Sequence, residues 1–122
     1  MTTAEALAGL GSLAQQTRLE VFRLLVQRGP EGLSAGAIAE ALDVPASSLS
    51  FHLQQLMHAG LVTQQRRSRQ LIYAASFEQM NALVAYLTEN CCAGASCGTP
   101  ETVRCAPPAR AAAVRAAGRG RR

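Results

Sequence analysis

Lysine and tryptophan are absent from this chain of 122 residues, and Phe, Trp and Tyr together make up only 4% of it. A core must therefore be assembled from Leu, Val and Ala, and a chain of this length affords one modest domain with room for a tail. No apolar run approaches the ~18 residues that span a bilayer, which excludes a membrane helix. The N-terminus has no basic stretch leading into an apolar one, which argues against a secretory signal and for a cytoplasmic protein. Thiols stay reduced in that compartment. Its four cysteines therefore suggest ligand or redox chemistry more than a structural framework.

With lysine missing, every positive charge is an arginine, and the net charge of +4 is unevenly spread. Residues 99–122 hold six Arg against Glu101 alone, a balance of +5, while residues 1–98 hold six Arg and seven acids, a balance of −1. The basic character belongs to the tail. Nucleic-acid binding by the folded part must rest on local placement of arginine and not on net charge. After Cys97 the composition turns to Gly, Pro, Ala and Arg without a sustained period, which predicts a disordered, Arg-rich tail over 99–122.

Upstream, helical spacing dominates. Thr2 and Glu5 fit a capping box opening a helix over residues 2–13, weakened by Gly9 and Gly11. Thr17 and Glu20 repeat that spacing before Leu19, Phe22, Leu25 and Val26, and Gly29-Pro30 ends this second helix. Ser34 caps a short third helix carrying Ile38 and Leu42. After Asp43-Val44, Pro45 suits the first turn of a fourth helix, with Leu49, Leu53, Leu56 and Met57 as its buried stripe and Gly60 as its cap. Two helices joined by a three- or four-residue turn make a helix-turn-helix. The period then changes. Leu61–Arg66 and Gln70–Ala75 read as strands around a basic tip, Arg67-Ser68-Arg69, forming a wing. Ser76 and Gln79 open a last helix running from Phe77 to about Asn90, with Met80, Leu83, Val84 and Leu87 on one face and Cys91 one turn further along it. The fold class is mostly α with a small β-hairpin: a winged helix-turn-helix.

The fourth helix carries Ser47, Ser48, Ser50, His52, Gln54 and Gln55 around its apolar stripe. Hydroxyls near a helix start meet base edges and phosphates, glutamine pairs with adenine, and the helix N-terminus favours phosphate. Arg66, Arg67 and Arg69 on the wing can reach the neighbouring backbone or minor groove. Singly these are ordinary solvated side chains. Together, on a helix-turn-helix followed by a basic hairpin, they point to double-stranded DNA. His58 reads as structural.

Thr17-Arg18-Leu19-Glu20-Val21-Phe22-Arg23-Leu24-Leu25, Leu49-Ser50-Phe51-His52-Leu53-Gln54-Gln55-Leu56 and His58-Ala59-Gly60-Leu61-Val62 carry a resemblance. On these segments, residues 7–92 resemble the ArsR/SmtB family of winged-helix repressors. The resemblance implies a homodimer joined through its first and last helices, an inverted-repeat operator, and repression relieved by a metal or metalloid. It implies a DNA-binding and dimerisation domain over residues 1–92.

Sensing residues sit at several places in that family. The helix before the recognition helix, Gly36-Ala37-Ile38-Ala39-Glu40-Ala41-Leu42, has no thiol for an arsenic site. The last helix, residues 77–90, has neither Asp nor His for a zinc site. What remains is residues 91–98, which bring Cys91, Cys92 and Cys97 within seven positions. The run Leu83-Val84-Ala85-Tyr86-Leu87-Thr88-Glu89-Asn90-Cys91-Cys92 resembles the arsenite-responsive subgroup with an adjacent cysteine pair after the last helix and a third cysteine beyond. Soft thiolates select thiophilic ions. Trivalent arsenic, as arsenite or methylarsenite, and antimonite want sulfur alone. Tetrahedral zinc wants a fourth ligand, which only Cys105 could add. A redox switch pairing Cys97 or Cys105 with Cys91 or Cys92, another thiophilic metal, and simple packing of small apolar thiols at a dimer seam stay open. A cysteine enzyme is disfavoured: no phosphate loop accompanies the thiols, and neither histidine is near them in sequence.

Overall fold

The computed structural model describes residues 1–94. Cys97, Cys105 and the predicted tail over 99–122 lie outside the described residues. The elements run α1 (Thr3–Leu13), α2 (Gln16–Arg28), β1 (Leu33–Ser34), α3 (Ala35–Leu42), α4 (Ala46–His58), β2 (Val62–Arg67), β3 (Gln70–Ala75), α5 (Phe77–Thr88) and a 3-10 turn over Cys91–Gly94. Among the described residues, no helix is long and apolar enough to cross a membrane.

Local chemistry sets most of the boundaries. Thr2 and Glu5 form the expected capping box: the Glu5 N–H donates to Thr2 Oγ1 at 3.1 Å, and the Thr2 N–H donates to Glu5 Oε1 at 2.8 Å. Ser34 and Ser76 cap α3 and α5 by accepting from the Ala37 and Gln79 N–H groups, each at 3.2 Å. The second expected box fails. Gln15 caps α2, its amide oxygen accepting from the Arg18 N–H at 2.8 Å, and Thr17 lies inside the helix. Glu20 meets the Gln16 side chain at 3.2 Å instead of a helix-end donor. Pro45 takes the N-cap of α4, one position before the place expected for it.

The buried core gathers Val21, Phe22 and Leu25 of α2, Ile38 of α3, Leu49, Leu53 and Leu56 of α4, and Leu61, Val62, Tyr73 and Ala75 around the hairpin. Among the described residues, no polar or charged side chain is buried. Each Leu sealed from water contributes about 1.5–3 kcal/mol, so the α4 stripe alone anchors the helix firmly against α2 and α3.

The sheet is antiparallel in the order β1-β3-β2. Val62 pairs with Ala75 and Arg67 with Gln70, so the turn is Ser68-Arg69 and Arg67 belongs to the last rung, not to the tip. The two-residue strand β1 was not expected; it pairs Leu33 with Tyr73 and Ser34 with Ile72. Gly32 permits it: its φ is +70°, and a Cβ there would collide with the Tyr73 carbonyl.

The end of α5 differs from expectation. The helix stops at Thr88, Glu89 is extended, and Asn90 turns left-handed at φ 59°. Asparagine tolerates that conformation better than most residues and ends helices there. Cys91 therefore leaves the apolar face of α5 and does not extend it.

Candidate nucleic-acid interface and thiol site

With Leu49, Leu53 and Leu56 buried, α4 turns Ser47, Ser48, Ser50, Gln54 and Gln55 to solvent, as their spacing predicted. The Ser48 hydroxyl donates back to the Pro45 carbonyl at 3.1 Å, which occupies its hydrogen. No side chain caps the N-terminus of α4, so its first N–H groups stay available to an anion. Gly60, at φ +83°, closes the other end before the wing.

His52 stands apart from this row. It is half-buried and turned toward α2, where Arg18 Nη1 lies 3.3 Å from its Nδ1. A guanidinium only donates, so Nδ1 accepts and the ring proton sits on Nε2. Partial burial first, and the Arg18 charge second, hold the imidazole pKa below its ordinary value of 6.5. That shift favours the neutral ring, whose Nε2–H is then the one donor left to offer a phosphate.

The wing carries its arginines in the open. Arg66, Arg67 and Arg69 are all exposed. Arg67 is partly engaged, donating from Nη1 to the Glu31 carbonyl and from Nη2 to Gln65 Oε1, both at 3.4 Å. Because β2 packs on α4, the wing and the helix face belong to one rigid frame.

Two residues were not singled out by the sequence. Phe51 is 54% exposed on α4, and its ring meets His52 edge-on with centroids 5.7 Å apart. The helical period held that signal, since Phe51 falls off the leucine stripe. Arg18, which fixes His52, gave no local signal. His58, read as structural, is exposed; with Leu7, Ser12, Arg18 and Gln55 it borders a cleft of about 310 Å³ between α1 and α4.

At the other end, α5 and α1 are joined by a 2.6 Å hydrogen bond between the Tyr86 hydroxyl and Thr3 Oγ1, and by Leu83 packed against Gly9. Leu87 and Leu7 are 58% and 63% exposed on these helices. Just beyond, Cys91 and Cys92 bring their sulfurs to 3.4 Å, without a disulfide. Cys92 and Ala93 are left-handed at φ 58° and 56°, as is Asn90. Left-handed backbone costs a non-glycine residue about 1–2 kcal/mol, so this segment is held in a sparsely populated shape. Among the described residues, no three His, Cys, Asp or Glu side chains gather as a metal site. The third predicted thiol, Cys97, lies outside the described residues.

Comparison with known proteins agrees with this architecture. A helix-turn-helix domain family matches residues 13–65. The chain is 35% identical over 81 residues to the arsenical resistance operon repressor of Bacillus subtilis, covering 66% of this chain and 73% of that one. It is 31% identical over 88 residues to the transcriptional regulator YgaV of Escherichia coli, covering 72% and 87%. Among solved structures, it resembles an ArsR-like transcriptional regulator from Rhodococcus (TM-score 0.64, 28% identity, 75% of this chain and 82% of that one). It also resembles HlyU from Vibrio cholerae (0.59, 28%, 74% and 95%). A third is the homodimeric winged helix-turn-helix domain of Mb0332 from Mycobacterium bovis (0.58, 25%, 79% and 89%). These relatives are regulators, which agrees with the expectation that the chain is not an enzyme. The leucine-backed α4, the basic hairpin and these similarities place the chain in the ArsR family of winged helix-turn-helix transcriptional regulators.

Proposed function

We propose that this protein is an arsenic-responsive repressor. As a homodimer it holds operator DNA, and it lets go when trivalent arsenic is bound by Cys91, Cys92 and Cys97. The observation that carries the reading is the 3.4 Å separation of the Cys91 and Cys92 sulfurs at the foot of α5. That spacing lets one thiophilic ion touch both, and the donor set is the soft one such an ion prefers. Arsenite is neutral near pH 7 and surrenders its hydroxyls to thiols as water, so no charged funnel is needed. Antimonite fits the same three sulfurs, and methylarsenite needs only two. The similarity to an arsenical resistance repressor supports the assignment.

The dimer reading draws on the exposed Leu7, Leu10 and Leu87 of α1 and α5, which a second copy would cover, and on the homodimeric neighbour. Two α4 helices in such a dimer enter successive major grooves, about 34 Å apart. Closing Cys91, Cys92 and Cys97 on one ion reshapes the left-handed segment after α5. Through the Tyr86–Thr3 bond that change reaches α1 and the seam, and the two α4 helices lose operator spacing. A coupling of about 1–3 kcal/mol is the ordinary size for such a link.

The test is fluorescence anisotropy of labelled DNA from upstream of the protein's own gene. Fully reduced protein is titrated onto it, and arsenite is then added. Tight binding reversed by arsenite is the expected result. Binding that arsenite leaves intact and a mild oxidant abolishes would transfer the trigger to a thiol redox switch, the alternative reading that the same sulfur pair supports.

A further inference from the structure

Phe51 stands where neither the core nor the seam explains it. It projects from α4 at 54% exposure, on the side opposite Leu49, Leu53 and Leu56. At 3.6 residues per turn it shares a face with Ser47, Gln54 and Gln55, one turn away on either side. A phenyl ring in the middle of a polar row gives up water-free burial and gains nothing from phosphate or solvent. The edge-on contact with His52 accounts for one side of the ring and leaves its outer edge open.

The major groove offers one apolar group on its base edges, the 5-methyl of thymine, and phenyl is among the side chains that match it. We propose that Phe51 is a specificity-determining residue that reads a thymine methyl in each operator half-site, beside the base pair met by Gln54 or Gln55. This rests on the reading of α4 as the DNA-contacting helix. It goes beyond that reading by naming the base and the atom recognised. The contact carries no charge, so its contribution stays nearly constant as salt rises, unlike that of the wing arginines. His52, by its contact with the Phe51 ring and its bond to Arg18, acts as a positioning residue that limits where the phenyl can swing.

The experiment uses the full chain. A duplex is selected by the protein from a random pool. It is then resynthesised with deoxyuridine replacing each thymidine in turn, which removes the methyl and keeps the pairing. Wild type should lose about fourfold in affinity at one position per half-site, the worth of one apolar carbon taken from water. Phe51→Ala should bind the thymine duplex at least fourfold more weakly and be indifferent to uracil at that position. Phe51→Leu, still apolar, should keep part of the discrimination and guards against a folding defect, as does an unchanged helical circular dichroism signal. The proposal is overturned if wild type and Phe51→Ala show the same uracil profile, or if no position is methyl-sensitive in the wild type. Failure to select or bind any duplex at low salt would overturn the DNA reading of α4 itself, a result distinct from tight binding without methyl discrimination.

Discussion

Arg18 donates to His52 Nδ1 across 3.3 Å while its Nε donates to the Ser12 carbonyl at 2.7 Å. One guanidinium thereby ties the end of α1, the first turn of α2 and the middle of α4. Helices α1 and α4 thus share a polar joint that requires a neutral imidazole.

That joint predicts acid sensitivity. The folded-state pKa of His52 is lowered from 6.5, by partial burial and then by Arg18. Above about pH 6.5 the ring is neutral in both the folded and unfolded chains, and its contribution to stability is complete. Below that, the unfolded chain takes up the proton first, and stability is lost as pH falls through the lowered folded value. Urea midpoints measured from pH 7.5 downward should fall faster for wild type than for His52→Asn. Parallel curves would mean that the joint is not titrating.

A second prediction concerns the short strand. Gly32→Ala places a Cβ against the Tyr73 carbonyl at a φ of +70° and should detach β1 from β3. A loss of about 1–3 kcal/mol is expected, read as a lowered thermal midpoint. An unchanged midpoint would mean that the β1 edge contributes nothing.

That strand also shows where sequence reading runs out. Two residues are too few for a period-2 pattern, and Leu33-Ser34 acquires its pairing only from Tyr73 and Ile72, far along the chain. The helices were legible because their signals are local: leucines at helical spacing, Thr2 against Glu5, Ser34 and Ser76 as caps. Thr17 and Glu20 match the same spacing, yet the helix starts two residues earlier, where Gln15 accepts from the Arg18 N–H. In the site, Ser47, Ser50, Gln54 and Gln55 followed from the helix period. The half-buried place of His52 beside the leucine stripe follows from the same period, whereas its partner Arg18, 34 positions away, left no local signal. The departure of Cys91 from the α5 face rests on Asn90, a residue type that tolerates the left-handed backbone it adopts here.

The wing should reveal itself through salt. If Arg66 and Arg69 each neutralise a phosphate, replacing either by Ala should reduce the slope of log affinity against log salt by about 1 per protomer. Arg67→Ala should reduce it less, since that guanidinium is already shared with Glu31 and Gln65. Equal slopes for wild type and all three variants would remove the wing from the interface.

The seam can be tested at Leu87. It is 58% exposed in the protomer, so Leu87→Glu should leave the fold intact. In a dimer both copies would carry a charge into an apolar contact, losing about 3 kcal/mol from the two leucines, roughly a hundredfold in association. Sedimentation should show monomer at concentrations where wild type is dimeric. A Leu87→Glu dimer of unchanged strength would move the seam away from α5.

The thiols admit the most direct test of sensing. Cys91→Ser and Cys92→Ser each remove one of two sulfurs that stand 3.4 Å apart, and Cys97→Ser removes the proposed third. None of the three lies on α4 or the wing, so operator affinity in the absence of inducer should stay within about twofold of wild type. A pyramidal site with two sulfurs holds arsenite poorly, so each variant should stay on the DNA at arsenite concentrations that strip the wild type. Methylarsenite, satisfied by two sulfurs, should still release at least one of them. Full arsenite release from Cys91→Ser would place the sensing site elsewhere in the chain, and loss of DNA binding in the reduced variant would show that the pair supports the fold instead of reporting on a ligand.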